Sequence, residues 1–296
     1  VNTKTMIRID KRFVASAITD YFKKIIEKIK NTKYDYFLLL KGEATPKFFL
    51  EFLRKNNPNI KFIFYTWDSF KNNSNGLEII NLFDNKFTFD ADDAKKYNIG
   101  FRPLFFAKDY AELYMKSNDF KYDLAFIGTA HSDRYTITEK VRNWCNSTKI
   151  RLFAFYFSPS KLLFKYNKIV NKDFKLFDYN KISFNSLSHK EIIDIYKNSK
   201  AILDINHPGQ KGLTMRTFES LGAGRKLITT NQEIKKYPFY DEQNILVINR
   251  ENIRLNTEFF KTDFKKIEEN LLESMSLKGL VEEIFGLVQV NYWQNV

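Results

Sequence analysis

Residues His207 to Asn231 read HPGQKGLTMRTFESLGAGRKLITTN. Immediately before them, Ala201-Ile202-Leu203-Asp204-Ile205 is a short apolar run of the kind that forms a buried strand. His207 to Gly212 is polar and contains glycine, and reads as a loop. Met215, Phe218 and Leu221 recur at helical spacing, which predicts a helix over Thr214 to Leu221. Gly222 and Gly224 end that helix, and Lys226 to Thr230 begins another strand. Strand, glycine loop, helix and strand form a βαβ unit. Its helix starts at the carboxyl edge of a parallel sheet, where open α/β folds bind ligands. Unpaired N–H groups and the helix dipole favour an anion there, phosphate being the common one. The backbone from Gly212 to Met215 can cradle that phosphate, with the Thr214 hydroxyl and Lys211 adding a donor and a charge. Arg216, one turn in, can add a bidentate contact. Glu219 lies on the same helix face. A carboxylate is a poor phosphate ligand but a good acceptor for ribose hydroxyls, so the pair describes a nucleotide diphosphate. The alternative for Arg216 and Glu219 is an exposed ion pair of little energetic worth. His207, closing the strand, can reach a sugar or pyrophosphate or serve its own loop.

The rest of the chain repeats this alternation. Apolar runs at Tyr36 to Leu40, Lys61 to Thr66, Lys86 to Phe89 and within Tyr97 to Phe106 read as strands, the first of them buried. Helical spacing marks Arg12 to Asn31, Pro46 to Lys55 and Leu77 to Leu82. A second sheet opens at Leu124 to Gly128. It continues through a helix at Asp133 to Asn146, strands at Lys149 to Phe157 and Ile182 to Phe184, and a helix from Ser188 whose Glu191 completes a capping box. Ile245 to Ile248 is the last strand, and helices at Thr262 to Ser274 and Leu280 to Tyr292 follow. Ser158 to Asp178 is a Lys-rich, aromatic insertion with weak periodicity. Alternating β and α elements give an α/β fold with parallel sheets covered by helices.

Three further clusters carry candidate chemistry. Gly128-Thr129-Ala130-His131-Ser132-Asp133-Arg134 follows a strand and opens a helix, a second N-terminus suited to phosphate or sugar oxygens. Arg134 can pair with phosphate there. His131 can donate to the phosphate or polarise a leaving group, unless Ser132 or Asp133 simply caps the helix. Glu43 and Asp68 each follow a strand's carboxyl end; either can serve as a general base, the alternative being ordinary turn carboxylates. Asp90-Ala91-Asp92 reads as an N-cap followed by the first-turn carboxylates of a helix over Ala91 to Tyr97. There is no Cys/His set for zinc, no P-loop and no G-x-S-x-G.

Composition sets bounds on the function. With 296 residues the chain is long enough for two domains. The single Cys145 excludes an internal disulfide and fits a reducing compartment. No apolar run approaches the ~20 residues that span a bilayer. The net charge of +13 suits an anionic substrate, an anionic membrane face or nucleic acid. The lysines are scattered and no nucleic-acid motif is present, which ranks nucleic acid last. A solvated Lys-rich surface accounts for most of them equally well.

R-x-F-E-x-x-x-x-G followed by a strand resembles the donor-binding segment of GT-B glycosyltransferases, in particular those of bacterial capsule, lipopolysaccharide and exopolysaccharide synthesis. Tyr34 to Glu43 with Phe64 to Ser69 resembles the family's first domain. Asp123 to Thr129 with His131 to Arg134 resembles the opening of its second. The resemblance implies two Rossmann-like domains with parallel sheets facing a cleft, the first truncated at its N-terminus, so that an upstream βαβ piece is expected. The expected division is an acceptor domain over 1–107, a linker over 108–121, a nucleotide-sugar domain over 122–277, and a helix over 278–296 returning to the first domain. It implies a hexosyl or deoxyhexosyl transfer from a nucleotide-diphosphate sugar to a glycan or lipid-linked acceptor, in the cytoplasm or peripherally at the inner membrane face. No metal is required, because helix dipoles and cationic side chains stabilise the leaving diphosphate. Retaining members often carry a second glutamate eight residues before the position of Glu219; here Lys211 stands there, which leaves the stereochemistry open. A non-catalytic nucleotide-binding scaffold or a basic nucleic-acid-binding protein is the alternative.

Overall fold

Strands that are apolar on both faces need cover on both faces, and parallel pairing needs long crossovers that can supply it. The computed structural model, which describes residues 11–114, 119–289, 291–294 and 296, meets that requirement twice. The chain divides into two compact units. One runs to Pro103 and takes in Leu280–Gln294; the other runs from Leu104 to Gly279.

In the first unit, β1 (Tyr36–Leu40), β2 (Lys61–Thr66), β3 (Asn85–Thr88) and β4 (Gly100–Phe101) form a parallel sheet in that order. Helices α1 (Ala15–Ile29), α2 (Lys47–Asn56) and α3 (Ala91–Tyr97) accompany it. Its core is phenylalanine-rich: Phe49, Phe62, Phe64, Phe70 and Phe83 are buried, and Phe37 packs against Phe49, Phe62 and Phe83. The expectation that β1 is buried needs correction. It is the edge strand, and alternate residues Tyr36, Leu38 and Leu40 are exposed. The helix expected over Leu77 to Leu82 is two separate 3-10 turns, Asn75–Glu78 and Ile80–Leu82. Asp90 caps α3, accepting from the backbone N–H of Asp92 (3.0 Å) and Asp93 (3.2 Å).

The second unit is a six-stranded parallel sheet, ordered β10-β9-β8-β5-β6-β7. The strands are β5 (Tyr122–Thr129), β6 (Leu152–Phe157), β7 (Ile182–Ser183), β8 (Ser199–Asp204), β9 (Lys226–Thr229) and β10 (Ile245–Val247). Helices α4 (Arg134–Thr148), α5 (Lys161–Val170), α6 (His189–Lys197) and α7 (Met215–Gly222) lie between successive strands. The Ser188–Glu191 capping box is present at α6. Residues 108–121, expected as a linker, are grouped with this unit: Lys108–Ala111 is a helical turn and Tyr110 is buried against Tyr196, while 115–118 lie outside the described residues.

The two glycines at the end of α7 have different reasons. Gly222 is still helical, and a Cβ there would lie 2.4 Å from the Phe106 ring. Gly224 is the true stop, at φ +65°, where an L side chain is strained. Both C-terminal helices are shorter than expected. α8 (Glu269–Ser274) starts late, capped by Glu268, after Phe259 and Thr262 have accepted hydrogen bonds from the buried Lys226 ammonium. α9 (Leu277–Ile284) ends early, before Gly286 at φ +72°; Val290 of the expected helix is outside the described residues. Glu283 binds the buried Arg102 of the first unit at 2.6 Å, and Trp293 covers the same guanidinium, 5.4 Å from its ring centre. Among the described residues no helix is long and apolar enough to cross a membrane.

Candidate functional site

β5 and β8 are neighbours, but the strands after β5 build out one side of the sheet and those after β8 build out the other. This is the topological switch point, and the crevice beyond such strand ends is where α/β sheets hold ligands. β8 ends there at Asp204, which is fully buried. Its Oδ2 accepts from the hydroxyls of Thr214 (2.7 Å) and Thr217 (3.0 Å), fixing the first turn of α7 to the strand end. Its Oδ1 has no hydrogen-bond partner among the described residues and lies 3.9 Å from Nη1 of Arg216.

Arg216 is three-quarters buried, its side chain 24 % exposed. Burial opposes its charge, yet Tyr196, Asp204, Glu219 and Tyr110 around it outweigh burial and raise its pKa. Glu219, the next turn along, receives hydrogen bonds from Tyr196 (3.4 Å) and Tyr110. Burial raises the Glu219 pKa, against the lowering effect of Arg216 and the two phenols. Tyr110, Ile127, Tyr196, Thr214, Met215, Arg216 and Glu219 line a cavity of about 210 Å³. The lining therefore offers a guanidinium and a helix N-terminus together with a carboxylate that two phenols hold.

The β5 side adds cations. Arg134 donates from Nε to the carbonyl of Ile205 (2.8 Å) and from Nη1 to that of Thr129 (3.4 Å), tying the two strand-end loops together. Burial first, and then Arg216 and Arg250, pull its pKa down to about 10. Arg250, just past β10, donates to Asp133 (2.8 Å) and to both the carbonyl and side-chain oxygens of Asn206 (2.6 Å each). His131 sits 5.8 Å from His207, ring to ring, with its Nδ1 2.9 Å from the Ser132 hydroxyl. Burial, with Arg134 and His207 adding to it, lowers its pKa to about 4, so it is neutral near pH 7. When the Ser132 hydroxyl donates to Nδ1, the ring proton resides on Nε2 and is a donor; in the other tautomer Nδ1 donates to Ser132.

The residues expected at this site come together, but several do other work than expected. The Thr214 hydroxyl, expected as a phosphate donor, gives its proton to Asp204. Arg134, expected to face phosphate, spends much of its donor set on the two loops. Gly128 answers to packing, since a Cβ there would lie 2.4 Å from the buried Phe126 ring. His207 accepts from the N–H of Gly209 (3.2 Å) and stands exposed. The carbonyl of Lys211 accepts from the Asn231 amide at 2.9 Å, which holds the loop before Gly212. Met215 lines the cavity and Thr129 is exposed at the strand end.

Glu43 and Asp68 belong to the first unit and have different surroundings. Asp68 faces Lys41 at 3.7 Å and accepts from Asn72 at 3.2 Å. Glu43 lines a cavity of about 320 Å³ with residues of α1 and the loop before α2. Sequence reading missed Asp204, Tyr110, Tyr196, Asn206 and Arg250. Asp204 and Arg250 had a signal in hand, being polar residues at or just past strand carboxyl ends. The tyrosines had none. Among the described residues, no group of three or more His, Cys, Asp or Glu side chains is placed to hold a metal ion.

No family model matches the chain, and no curated protein matches its sequence. Solved structures match its fold. An alpha-glucosyltransferase in complex with UDP and a mismatched DNA aligns with 88 % of this chain and 76 % of its own, at TM-score 0.55 and 12 % identity. TarM aligns with 92 % of this chain at the same TM-score and identity, and the chain spans 58 % of TarM's length. The fold is GT-B. Each of its two Rossmann-like units carries one parallel sheet, and the GT-B unit bearing the arginine cluster is the one built on β5 to β10.

Proposed function

We propose that this protein is a glycosyltransferase that binds a nucleotide-diphosphate sugar in its second unit and transfers the sugar to a glycan or lipid-linked acceptor. The observation that carries this reading is the pairing of opposite chemistries around one crevice. Arg216, Arg134, Arg250 and the α7 N-terminus supply positive potential where β5 and β8 end. Glu219, the next turn along α7, supplies a hydrogen-bond acceptor in the same cavity. A diphosphate matches the first and ribose hydroxyls match the second. As the sugar leaves, charge develops on the diphosphate, and fixed cations stabilise it without reorganising. Neutral His131 adds a donor to the same oxygens without adding charge. These cations make the transfer metal-independent in our reading. Within the first unit, Glu43 and Asp68 are the carboxylates we assign to the acceptor, one of them as general base. We place the acceptor chemistry in bacterial surface-polysaccharide synthesis, at the inner face of the cytoplasmic membrane.

The test is binding followed by turnover. Uridine, guanosine, thymidine and adenosine diphosphates and their sugars are titrated into the protein, and one series is expected to bind. The sugar nucleotide of that series is then incubated with protein, and release of the diphosphate is measured. If none of them binds, the donor site is refuted.

A further inference from the structure

The insertion between β6 and β7 presents a surface that the donor site does not explain. Ser160 caps α5, accepting from the Leu163 N–H at 3.2 Å. Phe164 is fully buried and meets Phe174, Phe177, Tyr179 and Phe184 at ring separations of 5.8 to 6.0 Å. That aromatic anchor fixes which side of the helix faces the protein. The opposite side is apolar and open to water: Leu162, Tyr166 and Ile169 are 80, 61 and 76 % exposed, with Leu163 and Val170 exposed beside them. Positions 162, 166 and 169 follow helical spacing, so they form one stripe. Such a stripe in water is unfavourable unless something covers it.

The charges around it point to the cover. Between residues 158 and 181 the chain has six lysines (161, 165, 168, 172, 175 and 181) and two aspartates (173 and 178). A partner must therefore offer an apolar phase and anionic groups together. A second copy laid face to face would set lysines against lysines. Nucleic acid supplies the anions but nothing for Leu162 and Ile169 to enter. A bilayer with anionic headgroups supplies both. We propose that α5 is an interfacial anchor that lays Leu162, Leu163, Tyr166, Ile169 and Val170 into the headgroup–acyl boundary of an anionic membrane, with the flanking lysines at the level of the lipid phosphates. At ten residues it is ~15 Å long and lies on the membrane rather than spanning it. This assignment does not depend on the sugar-transfer reading.

The test is co-sedimentation of the full chain with vesicles of phosphatidylcholine alone or with about one-third phosphatidylglycerol. Wild type is expected to partition at least about tenfold more strongly onto the anionic vesicles, and to release in high salt. Leu162→Asp with Ile169→Asp should weaken that partitioning at least about tenfold while leaving the thermal midpoint and nucleotide affinity unchanged. Tyr166→Trp should show a blue-shifted emission only with anionic vesicles, which reports insertion at this helix independently of the paired substitution. Equal sedimentation of wild type and the paired variant overturns the proposal, as does no binding to either vesicle. A concentration-dependent dimer without vesicles, abolished by the paired variant, would make a second copy the cover and also overturn it. Nucleotide binding is read in the same samples, so the donor site and the anchor fail separately.

Discussion

Two largely buried arginines in this chain meet carboxylates in opposite ways. Arg102, in the first unit, is fully buried; Glu283 lies 2.6 Å away and the Trp293 indole covers the pair. Burial lowers the Arg102 pKa and raises that of Glu283, so both groups bear the cost of leaving water. Arg216, in the second unit, stands 3.9 Å from Asp204, remains 24 % exposed and borders a cavity. Its pKa is raised, because the acidic and phenolic groups around it outweigh burial. A fully buried cation closed at short range by a carboxylate of its own chain is part of the scaffold. A cation held at longer range beside open space, with its charge favoured, is available to an anion from outside. This criterion favours the second unit's strand ends as the proposed binding site.

The comparison breaks first at Arg102. Arg102→Ala leaves Glu283 buried without its partner and should cost about 3–5 kcal/mol of stability. Denaturant unfolding checks this, with the affinity of the second unit for nucleotide unchanged in protein that remains folded. Arg216→Ala should do the reverse. Losing a charge-assisted contact should weaken diphosphate binding by about 1.5–3 kcal/mol, and stability should move by less than that. An Arg216→Ala variant that unfolds like the Arg102 variant while keeping its ligand would erase the distinction.

Two smaller effects sharpen the picture of the cavity. Glu219 accepts ribose hydroxyls more strongly when ionised, and its pKa is raised, so nucleotide affinity should climb with pH through a midpoint above the ordinary carboxylate range. Tyr196→Phe removes a hydrogen bond to the carboxylate. That should move the midpoint further up and cost about 0.5–1.5 kcal/mol in binding, as read by calorimetry across the pH range. A separate expected effect is in stability. His131 has a folded pKa of about 4 against an ordinary 6.5. The unfolded chain takes up its proton first, so stability should fall as pH drops from about 6.5 towards about 4. His131→Gln should flatten that part of the pH profile. Bound diphosphate should raise the His131 pKa, which an NMR titration of the ring can follow.

Much of the fold was legible because the apolar runs are short and well punctuated. Lys61–Thr66 and Ala91–Tyr97 stand where the sequence alone places them, and the strand–loop–helix–strand around Arg216 is off by one or two residues at its ends. The position of a strand within its sheet is not a local property. For that reason the apolar run of β1 suggests a buried strand although it lies at the edge. Gly286 ended α9 early because a single left-handed residue outweighs a continuing helical pattern. At the site, Arg216 and Glu219 could be read from spacing, since one helix carries both. Tyr110 could not, and Arg250 carried only the signal of its place just past a strand end. Tyr110 comes from a segment that reads as a linker, and Arg250 reaches Asp133 across 117 positions of sequence. Periodicity says which face of an element is apolar. It is silent on which loops meet at a switch point.

The most direct measurement is calorimetric titration of nucleoside diphosphates into wild type, Arg216→Ala and Glu219→Ala. One diphosphate is expected to bind wild type. Arg216→Ala should weaken the diphosphate and a bare pyrophosphate alike, whereas Glu219→Ala should weaken the nucleoside diphosphate and leave pyrophosphate nearly unchanged. Equal affinity in all three proteins, or binding lost to both variants without regard to the ribose, would contradict the division of this crevice into a diphosphate end and a ribose end.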